Sequence, residues 1–293
     1  MGHDTDSLWE TPIVLAATPI GNLGDATDRL QRLLLSAEIV AAEDTRRARH
    51  LCQALGISAP GRFLSLHEHN EASRAQEILA AAHEGTTVLV VSDAGMPAVS
   101  DPGFRLVSAA IEAGVGVTVA PGASAVTTAL ALSGLPTDRF TFAGFLPRKA
   151  SDRRRLLERL AGEDWTTVLF ESPHRVAATL EEMARELGPT RPAALCRELT
   201  KRHEEVLRGS LAELAETFAQ RQEQGTVKGE MVLVLGGADL AEGGVELSVE
   251  ELAQQVVDRA AAGEKLKVVA KDVAEGREVS SRELYDAALA LRK

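Results

Sequence analysis

The chain of 293 residues is poor in cysteine, in aromatic side chains and in positive charge, and each shortage excludes something. Its two cysteines, Cys52 and Cys196, cannot make a disulfide framework and point to a reducing, cytoplasmic setting. Aromatic residues are 3% of the chain, so the core rests on Ala, Val, Leu and Ile, and platforms for stacking bases are scarce. No apolar run approaches the ~18–20 residues of a membrane span. Residues 1–9 are polar and acidic, unlike a secretory signal. Lys and Arg number 32 against 43 Asp and Glu, a net charge of −11, which argues against coating nucleic acid through bulk charge. A local basic site is still compatible with that sum. Familiar signatures are missing too. The first glycine-rich loop is not G-x-G-x-x-G, so a nicotinamide cofactor is unsupported. Without a P-loop or a G-x-S-x-G elbow, Walker-type NTPase and α/β-hydrolase readings fall away. There is no C-x-x-C for structural zinc, and His67-Glu68-His69 lacks the H-E-x-x-H spacing that sets two imidazoles on one helical face, so no metal site is expected.

With 45% hydrophobic and 26% charged residues, the composition is that of a folded protein, and the length suits two compact domains with a small appendage. Short apolar runs at residues 13–17, 38–42, 63–66, 87–92 and 115–120 alternate with amphipathic stretches such as 44–56, 71–85 and 104–114, each closing on a glycine. That alternation predicts βαβ units, a mostly parallel sheet with helices on both faces, and ligands at the C-terminal strand ends. A linker at Leu135-Pro136-Thr137-Asp138 divides this half from a second α/β region. There, strands are expected at 141–144, 167–171, 193–197, 205–209 and 231–235, and helices at 151–160, 176–187 and 211–220. After Gly236-Gly237 and Glu242-Gly243-Gly244, residues 248–293 read as three short helices without a strand. Within them 266–274, a turn at Gly276 and 281–291 have helix-turn-helix spacing. The predicted domains are therefore 10–135, 136–238 and 245–293.

Four strand ends finish in unusual loops. T-P-I-G-N-L-G-D at 18–25 has glycines that let backbone approach a ligand. A-E-D-T-R-R at 42–47 sets Asp44 as a helix N-cap and Glu43 toward a cleft. The loop from Ser92 to Gly103 holds two Asp, two Pro and two Gly, a rigid path in which Asp93 is placed to accept hydrogen bonds from a ribose or an amine. P-G-A-S-A at 121–125 brings small residues to a helix start. Asn70 is a plausible cap for the following helix, with Glu71 in its first turn. Four such loops at successive strand ends make a shared crevice the economical reading. In the second region, six basic residues stand against two acidic ones between Leu146 and Arg159, a phosphate-binding patch or a solvated helix face. E-S-P-H-R at 171–175 and R-E-L-T-K at 197–201 mix acid and base, as an active-site rim does.

These motifs, with S-L-H-E-H-N-E at 65–71, S-D-A-G-M-P at 92–97 and S-D-P-G at 100–103, resemble the tetrapyrrole-methylase-like, class III methyltransferases. G-F-L-P-R-K at 144–149, 171–175, 197–201 and K-G-E at 228–230 narrow the resemblance to members that methylate small-subunit ribosomal RNA. It runs from about residue 12 to 236. It implies S-adenosylmethionine as methyl donor, a cytidine ribose 2′-hydroxyl in the decoding region of 16S rRNA as acceptor, two α/β domains with the donor in the cleft between them, and a homodimer. Carried over motif by motif, donor-binding residues are Thr18, Pro19, Asp93, Met96, Ser124 and Ala125, with Phe170 and Glu171 from the second domain.

A ribose hydroxyl is a poor nucleophile, so a base must take its proton or a cation must stabilise the alkoxide. Glu43, Glu171 and Glu198 are the acceptor candidates and Lys201 and Lys228 the stabilisers. Lys201 with Glu198 forms the preferred constellation, unless it is a surface ion pair. Arg148, Lys149, Arg153, Arg154 and Arg175 are expected to hold phosphates, with Arg46 and Arg47 on the opposite rim. Two alternatives remain open at this point, a precorrin C-methyltransferase and a non-catalytic RNA- or ribosome-binding module. The tail carries −4 of the −11, whereas basic residues gather at 46–49 and 148–155.

Overall fold

The computed structural model describes residues 11–238, 249–261, 264–274 and 279–291. Residues 1–9, the 242–244 linker and the Gly276 turn lie outside them. Residues 1–241 form one compact unit and 242–293 another.

The larger unit holds two five-stranded sheets, one on each side of residue 135. The first contains β1 (Ile13–Ala16), β2 (Ile39–Ala42), β3 (Arg62–Ser65), β4 (Val88–Val91) and β5 (Val117–Ala120) in the order β3-β2-β4-β1-β5. All its pairings are parallel, with Leu15 between Val90 and Val119. Continuous apolar strands follow from burial on both faces. Ile13, Leu15, Ala41, Val88 and Val90 point to one core, where α3 (Glu71–His83) and α4 (Phe104–Glu112) bring Ile78 and Leu106. Val14, Ala16, Val40, Leu89 and Val91 point to the other, filled by Leu30, Leu33 and Leu34 of α1 (Asp28–Ser36) and Cys52 of α2 (Thr45–Ala54). The predicted strands all form, and the glycines closing the three predicted helices, Gly56, Gly85 and Gly114, take φ of 69, 89 and 69°. Helix α1 was missed. Its signals are Thr27, whose hydroxyl caps the Leu30 N–H at 3.0 Å, and three leucines at helical spacing.

The second sheet has the order β6-β7-β10-β8-β9, from β6 (Phe140–Phe145), β7 (Thr166–Glu171), β8 (Pro192–Arg197), β9 (Glu205–Ser210) and β10 (Met231–Leu235). Only β6 and β7 pair in parallel; the other pairings are antiparallel. One face, with Leu169, Leu195 and Leu233, packs under α6 (Ala150–Ala161), α7 (Val176–Leu187) and α8 (Leu211–Glu223). The opposite face, with Val168, Cys196, Val232 and Val234, is covered by Val126, Ala129 and Leu130 of α5 (Ala125–Ser133) and by Ile20 from the loop after β1. The first half thus supplies a wall of the second half's core, which explains the single compact unit. Arg191 is fully buried, donating to the carbonyls of Gly236, Leu160 and Glu163 at 2.8, 2.6 and 3.0 Å and tying α6 to the end of β10. Both cysteines are free and buried, and burial pushes the Cys196 thiol up to about 11.

The smaller unit has three helices, Val249–Ala261, Leu266–Ala274 and Ser281–Leu291, packed through Leu252, Val256, Val269 and Leu284. Among the described residues no helix is long and apolar enough to cross a membrane.

Candidate functional site

Strands of a parallel sheet end on one side, so the loops after β1, β2, β4 and β5 emerge together. Two backbone hydrogen bonds join the first and third, Thr18 N–H to Gly95 O at 2.9 Å and Gly95 N–H to Thr18 O at 3.0 Å. The Thr18 hydroxyl donates to Ser92 O at 3.2 Å. Gly21 packs so closely on Lys201 and the Leu199 carbonyl that a Cβ there has no room, which brings the loop after β8 against the loop after β1.

Between these loops and the second sheet lies a cavity of ≈ 350 Å³, within the ~300–1,000 Å³ of small-molecule sites. Its walls are Gly95, Met96, Asp101, Ser124, Ala125 and Val126 from the first half and Phe145, Phe170, Glu171, Leu199, Glu230 and Val232 from the second, with Ile20. A bulge in β6 between Phe142 and Phe145, at Gly144 with φ 66°, sets both rings edge-on to Phe170 at 5.0 and 5.4 Å. Three of the seven phenylalanines therefore meet here, in a chain otherwise short of aromatics.

Of the expected donor-site residues, Met96, Ser124, Ala125, Phe170 and Glu171 line the cavity. Thr18, Pro19 and Asp93 do not. Thr18 is buried behind the wall with its backbone and hydroxyl engaged as above. Pro19, next to it, is half-buried outside the lining. Asp93 accepts the Asp44 N–H at 3.0 Å and pairs with Arg47 at 3.2 Å, so it stitches β4 to α2.

The expected catalytic pair does come together. Lys201 Nζ donates to Glu198 at 2.8 Å and to Glu230 at 3.0 Å, and Glu198 also accepts the Glu230 N–H at 3.0 Å. The Lys201 hydrogen bond and the Glu230 amide lower the Glu198 carboxyl. Burial works against the Lys201 charge, but the two carboxylates outweigh it and raise the ammonium. A depressed acid is a weak proton acceptor, whereas a strengthened cation keeps the charge that an alkoxide stabiliser needs. Glu171 lines the cavity but is saturated: it takes the Ser172 N–H at 2.7 Å, the Thr179 hydroxyl at 2.8 Å and Arg175 at 3.1 Å. Glu43, at the end of β2, is half-buried, and burial followed by Asp93 raises its carboxyl.

Asp101 is the residue that sequence reasoning passed over within its own motif. Burial first, then the Glu43 and Asp93 carboxylates, push it up to about 7. The Ser92 hydroxyl opposes them, but its one proton also faces Gly95 O at 3.0 Å. The loop that carries Asp101 is unusual: Ala98 and Ser100 have φ of 66 and 60°, in the left-handed region that costs a non-glycine residue ~1–3 kcal/mol. At Gly103, φ is 133° and an added Cβ would stand 3.2 Å from Ala98 N. Glu71 holds this path. Its buried carboxylate accepts the N–H groups of Gly103, Arg105 and Leu106 at 2.9, 2.8 and 3.3 Å, capping α4 from a neighbouring helix. Asn70, expected to cap α3, makes no such bond. Its side chain accepts the His67 N–H at 2.8 Å and donates to Ser65 O at 3.1 Å, fixing the preceding loop instead. His67 and His69 stand edge to face at 6.1 Å, and no metal-holding group of His, Cys, Asp or Glu occurs among the described residues.

A second recess, ≈ 300 Å³, adjoins the cavity through the Glu171–Thr179–Arg175 wall and is lined by Arg148, Arg153, His174, Arg175 and Glu182. Arg153 is tied to Glu182 at 2.7 Å, and Arg175 donates to Leu146 O at 2.7 Å. Arg154 and Lys149 are exposed beside it, Lys149 3.9 Å from Asp152. Arg46, exposed, forks onto Asp44, whose side chain caps α2 as expected.

A family model for Tetrapyrrole (Corrin/Porphyrin) Methylases matches residues 12–215. The chain belongs to the tetrapyrrole methylases. Members of this family are S-adenosylmethionine-dependent methyltransferases, and so is this protein. A curated relative in Mycobacterium bovis, named ribosomal RNA small subunit methyltransferase I, is 50% identical over 96% of this chain and 95% of its own length. One of the same name in Halalkalibacterium halodurans is 43% identical over 94% and 93%. In fold, this tetrapyrrole methylase is similar to uroporphyrin-III C-methyltransferase of Thermus thermophilus complexed with S-adenyl homocysteine, with TM-score 0.52 and 22% identity over 77% of this chain and 97% of that one. The cavity's chemistry fits a sulfonium donor. Its walls are mostly apolar, and their charged residues are Asp101, Glu171 and Glu230, with no lysine or arginine among the described lining. An apolar, acid-rimmed pocket suits a cationic ligand and disfavours a phosphate-bearing one.

Proposed function

We propose that this enzyme transfers a methyl group from S-adenosylmethionine to the ribose 2′-hydroxyl of a cytidine in the decoding region of 16S rRNA, acting in the cytoplasm as a homodimer. The observation that carries the RNA part is the shared wall: an acid-rimmed, apolar cavity for a cation adjoins an arginine-lined recess for an anion. A nucleotide whose phosphate sits on Arg148 in that recess lies next to the cavity that would hold the donor. The relatives' printed name supplies the choice of small-subunit ribosomal RNA.

In this reading the two sheets serve as the two domains of residues 10–135 and 136–238, with the tail at 245–293 as the third. The donor is held by Gly95, Met96, Ser124, Ala125 and Phe170, whose small or apolar surfaces admit its adenosyl and thioether parts. It supplies an electrophilic methyl carbon, which an in-line oxygen must approach to about 3 Å. The protein orients that oxygen, excludes water with Phe145 and Phe170, and disposes of the proton. Arg46, Arg47, Lys149 and Arg154 add screened attraction at the rim.

The test is incubation with methyl-labelled donor and, separately, small ribosomal subunits, naked 16S rRNA and a precorrin, followed by nuclease mapping. Label on a ribose oxygen of a decoding-region cytidine is the expected result. Label in the precorrin alone assigns the sibling activity, and absence of donor binding by calorimetry assigns a non-catalytic module.

A further inference from the structure

Three carboxylates line the cavity, and they differ in what holds them. Glu171 is saturated by an arginine, a hydroxyl and an amide, and Glu230 accepts from Lys201. Asp101 makes no ion pair with any described residue. We propose, building on the ribose-methylation reading, that Asp101 is the catalytic residue that accepts the proton of the attacking hydroxyl.

Position comes first. Asp101 stands at the cavity wall on a loop pinned at both ends, by Gly95 paired to Thr18 and by Gly103 held on Glu71. Left-handed Ala98 and Ser100, with the Ala98 N–H on Pro102 O at 3.1 Å, fix the path between. Strain at such a loop persists because its surroundings over-determine it, as at working sites. Electrostatics come second. The charged groups facing Asp101 are Glu43 at the end of β2 and Asp93 at the start of its own loop, both acidic, with Arg47 drawn onto Asp93. Across the cavity, Arg175 and Lys201 are consumed by their own carboxylates. Asp101 therefore holds a proton more tightly than an ordinary aspartate, which is what a base working near neutrality needs.

The step balances without further reagents. The hydroxyl oxygen forms the O–CH3 bond with a lone pair, and the S–CH3 bond breaks with its electron pair passing to sulfur. The hydroxyl proton goes to an Asp101 carboxylate oxygen and then to solvent at the cavity mouth.

The test uses the full chain, labelled donor and small ribosomal subunits, with wild type, Asp101→Asn and Asp101→Glu. At saturating substrates, Asp101→Asn is expected to lower kcat by about 100-fold or more, with S-adenosylhomocysteine affinity by calorimetry within threefold of wild type. That affinity also certifies the fold. Asp101→Glu recovers part of the rate. Wild-type kcat/KM climbs with pH through a midpoint near 7, and that limb is missing from the Asp101→Asn residual rate. An Asp101→Asn rate within threefold of wild type overturns the proposal, as does a loss of S-adenosylhomocysteine affinity that matches the loss of rate. Those outcomes leave ribose methylation standing. A wild-type protein that labels no ribose removes the broader reading, and the proposal with it.

Discussion

The two rims of the cavity carry similar numbers of acids and treat them in opposite ways. On the second-sheet side, Lys201 pairs with both Glu198 and Glu230, and the Lys201 contact lowers the Glu198 carboxyl. On the first-sheet side, Arg47 pairs with Asp93 alone, Asp101 has no ion-pair partner among the described residues, and burial raises both Glu43 and Asp101. Acidic residues at strand ends look alike in a sequence. What separates a structural carboxylate from a chemical one is whether a cation has already claimed it.

The sharpest way to break this comparison is to neutralise one acid on each rim. Glu198→Gln is expected to change kcat less than about fivefold, against the 100-fold or more expected for Asp101→Asn; equal losses in steady-state assays would erase the distinction. Next in size is Glu71→Ala, which strands three amide groups at the start of α4 and unpins the loop of Asp101. Chemical denaturation should register a loss of about 2–3 kcal/mol, and kcat should fall as well.

A smaller effect runs the other way. Because the Asp101 carboxyl is raised to about 7, it keeps its proton in the folded state where the unfolded chain has released it. Folding is therefore penalised progressively as pH climbs from about 4 to about 7. Asp101→Asn should thus be more stable than wild type at pH 8, by about 1–2 kcal/mol after solvent screening, with the gain gone below pH 4. Thermal melts at the two pH values read this directly, and a variant less stable at pH 8 would count against a raised carboxyl. Smallest are single changes in the basic surface. Arg148→Ala should reduce the salt slope of RNA binding by about 1 without altering S-adenosylhomocysteine affinity; an unchanged slope would take Arg148 off the phosphate path.

Much of the fold could be read from residue patterns, because a parallel sheet buried on both faces writes itself as apolar runs such as Val88 to Val91. The alternation of those side chains between two cores is invisible in such a run, and α1 was hidden behind a loop rich in glycine. The cavity's location at the strand ends was legible for the same topological reason. The assignment of roles was not. Lys201 and Glu198 lie three residues apart and do meet, but only coordinates reveal Glu230 joining them from the start of β10. Asp101 sits in an S-D-P-G turn that reads as punctuation. Its neighbour Asp93 stands eight residues earlier in the same loop, but Glu43 comes from the end of β2, 58 residues earlier in the chain. Glu71 read as a first-turn acid of its own helix and instead caps another. The contacts of Glu230 with Lys201, Glu43 with Asp101 and Glu71 with α4 join segments distant in sequence, which composition and spacing do not encode.

The most direct measurement is a carboxyl 13C NMR titration of the S-adenosylhomocysteine-bound protein, with Asp101 and Glu198 assigned through their Asn and Gln variants. Unpaired and paired rims predict a midpoint near 7 for Asp101 and one lower than an ordinary glutamate's for Glu198. An Asp101 midpoint at or below that of Glu198 would contradict the account.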